Sequence, residues 1–323
     1  MFKKQISVML ITLLTLMSVF STSVFAAPVE YHPSKAHKTG EMAYAHMEYL
    51  SKEIGPRIAG TEAEQEAAAY IQGQFERIGL ETELQNFTYG SNSSANVIAY
   101  KKGKSDKQII VGAHYDSVRR GAGADDNGSG VGVMLETAEV LSKIKTPYSI
   151  VYIAFGAEEV GLRGSRHYAG QMSTEEIENT LAMINLDSLA AGDKMYVHGS
   201  EGADGFLRDQ ALNIAAKKNL NVGINPGLNP NYPAGTTGDW SDHVPFKNLG
   251  IPYTYLEATN WEIGDMDGYE QTEKFGGIWH TNMDTIDFIE REFPGRIEER
   301  LSTFSTLLTD MLKFTNKTST SKK

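Results

Sequence analysis

Tyr148-Ser149-Ile150-Val151-Tyr152-Ile153-Ala154-Phe155-Gly156-Ala157-Glu158-Glu159 is the stretch that decides the fold. From Tyr148 to Phe155 the run is nearly continuous in apolar residues. That pattern is expected of a parallel strand buried on both faces, because helices cover both sides of such a sheet. Glu158 and Glu159 follow almost at once. Two acids directly after a dry strand are costly to hold unless a cation or hydrogen-bond donors offset them. The plainer reading is a solvated charge pair on a loop.

The flanking sequence repeats the alternation. Short β-rich runs lie at 96–100 and 108–113, and further strand candidates at 182–186, 194–197 and 252–256. Helical signals cover 36–50, 61–78, 128–144 and 297–314. The helix at 61–78 begins at Thr61 with Glu64 three residues on, the spacing of a capping box, and stops at Gly79. Strands alternating with helices predict an α/β fold, a three-layer α/β/α sandwich around a central, mainly parallel mixed sheet. No Pro/Ser-rich linker and no internal repeat interrupts it, so a single domain is predicted. The stretch 221–239, rich in Gly, Pro and Asn, is expected as a long surface loop.

The first 26 residues stand apart. Lys3 and Lys4 make a short basic start, 6–20 is mostly apolar, and Val24-Phe25-Ala26 resembles a small-residue cleavage site. The apolar run is short for a membrane span and no basic stop follows it. The reading is a signal peptide at 1–26, a folded domain at 27–314, a disordered polar tail at 315–323, and a secreted protein. Removing the leader takes two lysines and no acids, leaving 28 basic against 41 acidic residues. An acidic domain without a basic stripe argues against nucleic acid as a partner and against stable membrane association. There is no cysteine, so disulfides are excluded and stability must come from the core and from any bound metal.

Four more patches carry possible ligands. His114 and Asp116 lie two apart at a predicted strand end, so their side chains point the same way. Asp116 is placed to receive the second ring N–H of a ligating His114; alone, the pair also reads as a strand-end histidine bonded to an acid. Asp125-Asp126-Asn127-Gly128-Ser129-Gly130 opens a helix, where carboxylates also serve as ordinary caps. Asp187 follows the strand at 182–186. His280 closes an aromatic and glycine-rich stretch from Tyr269 to Trp279, and His243 is its only real competitor. Two imidazoles and three carboxylates suit a pair of divalent ions such as zinc. Glu158 beside Glu159 suits a base for the attacking water.

In order and spacing, these five patches resemble those of the M28-type di-zinc aminopeptidases, bacterial secreted co-catalytic zinc exopeptidases. The resemblance runs from about Asn96 to Phe288. It implies a zinc-exopeptidase-like fold and two zinc ions per chain, with other divalent ions as substitutes. It also implies that His114 and Asp187 complete one site and Glu159 and His280 the other, with Asp126 bridging. Glu158 would be the general base and Asp116 the orienting partner of His114. A cis peptide after the bridging aspartate, here Asp126-Asn127, is frequent in the family. Ser241-Asp242-His243 resembles a supporting element near the substrate. Some members carry a tyrosine where this chain has Trp279 or Trp240, which leaves the donor to the oxyanion open.

The implied activity is hydrolysis of the first amino acid from peptides with a free N-terminus. Trp240, Tyr269, Phe275, Ile278 and Trp279 are the candidates for an apolar side-chain pocket, with plain core packing as their alternative. Related readings stay open. An exopeptidase for C-terminal or modified amino acids would need a basic pocket residue, and Arg119, Arg120 and Arg163 are near in sequence. A glutaminyl-cyclase-like transferase would use one zinc. A non-catalytic binding protein would be expected to have lost ligands.

Overall fold

The computed structural model describes residues 38–315. The leader at 1–26 and the tail from 316 onward lie outside them. Thr315, assigned to the tail from sequence, is buried, and its hydroxyl donates to the carbonyl of Met311.

Among the described residues the chain runs through α1 (Glu41–Glu48), which continues as a π-helical segment (Tyr49–Ile54), then α2 (Glu62–Arg77). Next come β1 (Glu81–Tyr89), β2 (Asn92–Lys101), β3 (Ser105–His114), α3 (Gly130–Leu141) and β4 (Tyr148–Phe155). They are followed by α4 (Arg163–Gln171), α5 (Thr174–Asn179), β5 (Thr180–Leu186), β6 (Lys194–Gly199) and α6 (Phe206–Lys218). The chain ends with β7 (Val222–Gly223), α7 (His243–Asn248), β8 (Tyr253–Thr259), α8 (Ile286–Glu292) and α9 (Arg296–Phe314).

The strands form one eight-stranded sheet in the order β1-β2-β4-β3-β5-β8-β6-β7. β3 pairs in parallel with both β4 and β5, and β5 with β8; the outer β1–β2, β2–β4 and β6–β8 pairings are antiparallel. The predicted α/β/α sandwich with a mixed sheet is therefore the observed fold. Alternate strand residues face two separate cores. Val111, Tyr152, Ala154 and Ile184 pack with α1, α2, α3, α6 and α9. Ile110, Val151, Ile153, Phe155 and Met183 pack with Tyr168 of α4 and Phe246 of α7. β4 thus buries both faces, each large apolar side chain stabilising by about 1.5–3 kcal/mol.

The path from β3 goes through α3 to β4 on one side, then through α4 and α5 to β5 on the other. This reversal opens a crevice at the carboxyl ends of β3, β4 and β5, where open α/β sheets bind ligands.

Two local expectations change. The capping box at Thr61 does not form: the Thr61 hydroxyl donates to the carbonyl of Ile58, and Glu64 turns inward. Buried Glu64 accepts from the N–H of Gly60, the hydroxyl of Ser94 and the N–H of Ala157. Burial raises its pKa to about 7. The 221–239 stretch is irregular after the two-residue β7, but not wholly on the surface. Asn225 is fully buried, and its amide donates to the carbonyls of Tyr232, Pro233 and Thr236.

Candidate metal centre

Five loops at the crevice deliver the acids and imidazoles. His114 is the last residue of β3, Asp187 follows β5 directly, and Glu158 and Glu159 follow β4. Asp126 lies between β3 and α3, and its peptide bond to Asn127 is cis. His280 comes from the connection between β8 and α8. Four non-glycine residues here hold left-handed backbone: Ala157 (φ 54°) before Glu158, Leu162 (φ 57°) after Glu159, Ser188 (φ 54°) after Asp187, and His280 itself (φ 56°). Such conformations cost energy and persist where the surroundings enforce them, often at functional sites.

Asp126 sits in the centre. Its Oδ1 is 3.1 Å from His114 Nε2 and its Oδ2 is 3.3 Å from His280 Nε2. Each imidazole also faces a second carboxylate. Asp187 Oδ1 is 3.5 Å from His114 Nε2, and Glu159 Oε2 is 2.9 Å from His280 Nε2. Ligand atoms of His114, Asp126 and Glu159 all lie within 4.8 Å of one another. All five predicted ligands and Glu158 line one cavity of about 380 Å³.

Hydrogen bonds fix each loop. Asp116 accepts from the N–H groups of Glu158 and Glu159 through its two oxygens, at 2.9 and 3.1 Å. It was expected to receive the ring of His114, but its carboxylate is 3.7 Å from Nδ1, beyond a good hydrogen bond. Nδ1 lies instead 3.2 Å from the main-chain oxygen of Asp116. Two amide donors already hold that carboxylate. Asp284 accepts from the N–H groups of Asp125 and Asp126. Asp125 accepts from the N–H groups of Ala190 and Ala191 and from Gln271 Nε2. The Ser241 hydroxyl donates to Asp187 Oδ2 at 2.7 Å. Among the described residues, the guanidinium of fully buried Arg57 donates only to main-chain oxygens: those of Leu50, Gly55, Tyr115, Ala122 and Gly123.

The site is strongly acidic, and its protonation follows. Burial raises Glu159 to about 7, aided by Asp126 and opposed by His280. Burial pushes Glu158 well above the carboxylate range. Burial also works against charge on Asp126, but the two histidines outweigh it and hold its carboxyl below the usual range. Hydrogen bonds to Asp126 and Glu159 raise His280 to about 11. Desolvation opposes charge on His114, yet Glu158, Asp187, Asp116 and Asp126 together hold it well above its usual value. Clustered acids that keep two imidazoles cationic form an environment in which a divalent cation could replace those protons.

Of the five residues expected to form an apolar pocket, three face this cavity. Trp240, Tyr269 and Trp279 line the cavity, joined by Leu162 and Tyr255. Phe275 and Ile278 do not. Ile278 is fully buried core, and Phe275 packs edge-on against Phe288 and Phe293. Both lie on the helix side of the 269–279 turn, where the main core offers more apolar contact than the crevice. His243, the competitor to His280, is buried between Tyr253 and Tyr255, away from the acids. Arg119, Arg120 and Arg163 do not line the cavity.

Residues 96–305, a span that holds every one of the five patches, match the profile of Peptidase family M28. The chain belongs to that family. This M28 peptidase is 34% identical to the alkaline phosphatase isozyme conversion protein of Escherichia coli K12, over 90% of this chain and 93% of that one. It is 35% identical to aminopeptidase YwaD of Bacillus subtilis over 66% of this chain, yet spans only 44% of that longer protein. Its fold is shared by a zinc aminopeptidase from Bacillus subtilis, with a TM-score of 0.71 at 21% identity, covering 88% of this chain and 97% of that one.

Proposed function

We propose that this M28 peptidase is a secreted, zinc-dependent aminopeptidase that removes the first residue from peptides. The observation that carries the reading is Asp126, whose two oxygens each face a different histidine, with Glu158 in the same cavity. The names of YwaD and of the Bacillus zinc aminopeptidase agree with it. Secretion rests on the leader-like sequence at 1–26.

The donor set fits a pair of metal ions. Buried Glu159 Oε1 has no hydrogen-bond partner among the described residues, as expected of an oxygen kept for a cation. His114 and Asp187 would hold one ion, Glu159 and His280 the other, and Asp126 both. Bound zinc would supply Lewis acidity, polarising the scissile carbonyl and easing loss of a proton from the attacking water.

The remaining steps belong to the protein. Glu158 takes the proton of the attacking water and returns it to the leaving amine. Asp116 fixes the loop that aims it, through the N–H groups of Glu158 and Glu159. The acidic wall attracts the substrate's free α-ammonium and so restricts cleavage to the first residue. Without an arginine in the cavity, nothing there recommends a C-terminal carboxylate.

Hydrolysis of aminoacyl-p-nitroanilides, free and N-acetylated, tests the reading, with chelator and with restored zinc. Cleavage of the free compounds alone, lost on chelation and regained with zinc, supports it. Equal cleavage of blocked substrates, or full activity in chelator, overturns it.

A further inference from the structure

Behind the cavity wall lies a buried polar pair that the chemistry above does not use. His198 on β6 and Glu257 on β8 are both fully buried, and His198 Nε2 is 3.0 Å from Glu257 Oε2. The same oxygen receives the indole N–H of Trp261 at 3.3 Å. Glu257 Oε1 has no partner among the described residues, so His198 and Trp261 set the carboxylate's place. A carboxylate buried this way is costly, and an apolar residue would pack here more cheaply. What it does hold is Trp261, a fully buried indole whose N–H needs a partner.

Trp261 in turn backs Trp240. The two indoles are stacked, with ring centres 6.0 Å apart at 27°, and Tyr232 meets both edge-on. Each indole is packed closely against a glycine. A Cβ at Gly238 would fall 1.8 Å from Trp240 Cζ3, and one at Gly268 would fall 2.6 Å from Trp261 Nε1. Trp240 is 39% exposed and its free face lines the cavity that holds His114, Asp126 and Glu158. A line of contacts therefore runs from β6 and β8 through two stacked rings to the substrate side.

We propose that Glu257 and His198 are positioning residues for the Trp240 wall, and that through it they set which first-residue side chain the enzyme accepts. The proposal rests on the aminopeptidase reading for its substrate and on the stack alone for the positioning. Neither residue touches substrate. Loss of the Trp261 anchor lets the indole pair tilt, which changes room for bulky side chains while the metal ligands stay where they are.

The test compares Glu257→Leu and Trp261→Phe with the wild type on alanyl-, leucyl- and phenylalanyl-p-nitroanilide. In the zinc-loaded Glu257→Leu enzyme, which lacks the acceptor for the indole N–H, the phenylalanyl-to-alanyl ratio of kcat/KM should change by about 10-fold, mostly in KM, with kcat on alanyl substrate nearly unchanged. Trp261→Phe keeps the ring but not the N–H, and should shift the ratio the same way. Gly238→Ala, which displaces Trp240 directly, should shift it at least as far. A uniform loss across the three substrates, or an unchanged ratio in folded, metal-replete variants, overturns the proposal. Acrylamide quenching reads the positioning without turnover. The chain has three tryptophans, and Glu257→Leu should make the fluorescence more quenchable. Should the wild type cleave none of the three substrates, the aminopeptidase reading fails, and unaltered quenching would then overturn the positioning as well.

Discussion

Glu64 Oε1 accepts the backbone N–H of Ala157 at 3.1 Å, joining two points 93 residues apart in the chain. The bond ties the start of α2 to the turn that carries Glu158 and Glu159. Glu64→Ala would leave that N–H, the N–H of Gly60 and the Ser94 hydroxyl unpaired inside the protein. Stability should fall by about 2–4 kcal/mol, and kcat should fall more than KM rises, because the turn that aims Glu158 loosens. Urea unfolding and steady-state kinetics on one preparation measure both; an unchanged kcat would show that Asp116 alone holds the turn.

Glu158 and Glu159 should fail in different ways. Glu158→Gln keeps size and should retain metal while turnover drops by roughly 10²–10⁴-fold, the range for loss of a general base. Glu159→Gln should lower the metal content, since a neutral amide is a poor replacement for a ligating carboxylate. Elemental analysis beside kinetics separates them, and exchanged phenotypes would exchange the roles.

Metal should stabilise the fold as well as serve the reaction. Asp126, Glu159 and Asp187 converge on the cavity, and a cation that binds only the native state adds about 2.7 kcal/mol at a free concentration 100 times its Kd. Chelation should lower the Tm, and titrated zinc should restore it with a stoichiometry near two. Saturation at one ion with full activity would falsify the bridging role of Asp126.

Acid should destabilise the protein through His46. Burial, aided by Arg77, lowers its pKa to about 3. The unfolded chain takes up that proton below pH 6.5 and the folded chain does not, so stability is complete above 6.5 and falls as pH drops toward 3. At pH 5 the loss is about 2 kcal/mol. His46→Gln should flatten this part of the pH–stability curve while leaving it unchanged above pH 7. Denaturation midpoints at pH 5 and pH 7.5 for both proteins give the answer.

The centre was legible in sequence because its residues stand where physics makes them conspicuous, just past buried strands. Glu158 and Glu159 after Phe155, Asp187 after Leu186, and His114 at the end of β3 are polar residues abutting apolar runs. The residues that brace them were not legible. Glu64 has the spacing of a local cap, and only the fold shows it reaching β2 and the Glu158 turn. Asp284 and Gln271 lie in irregular chain with no period to mark them. β1 escaped because an edge strand buries little: along Glu81–Tyr89 only Phe87 is buried, so no alternation is printed in the sequence. Phe275 and Ile278 could not be told apart from pocket-lining residues, for the reverse reason. An aromatic or aliphatic residue near a ligand looks the same whether it faces the crevice or the core.

Arg57 governs how the molecule can come apart. Burial lowers its pKa only to about 10, so the guanidinium stays charged at neutral pH while donating, among the described residues, solely to main-chain oxygens of two distant segments. One is the helical end at 50–55, the other the connection at 115–123 that leads into Asp125 and Asp126. Neither can detach without stranding a cation in the interior, so their amides should exchange with solvent as one cooperative unit. Arg57 also lies outside the 96–305 segment that carries the family pattern. A fragment trimmed to that segment would keep every ligand and lose the nail beneath them, which makes the N-terminal helices part of the catalytic frame and not an appendage to it.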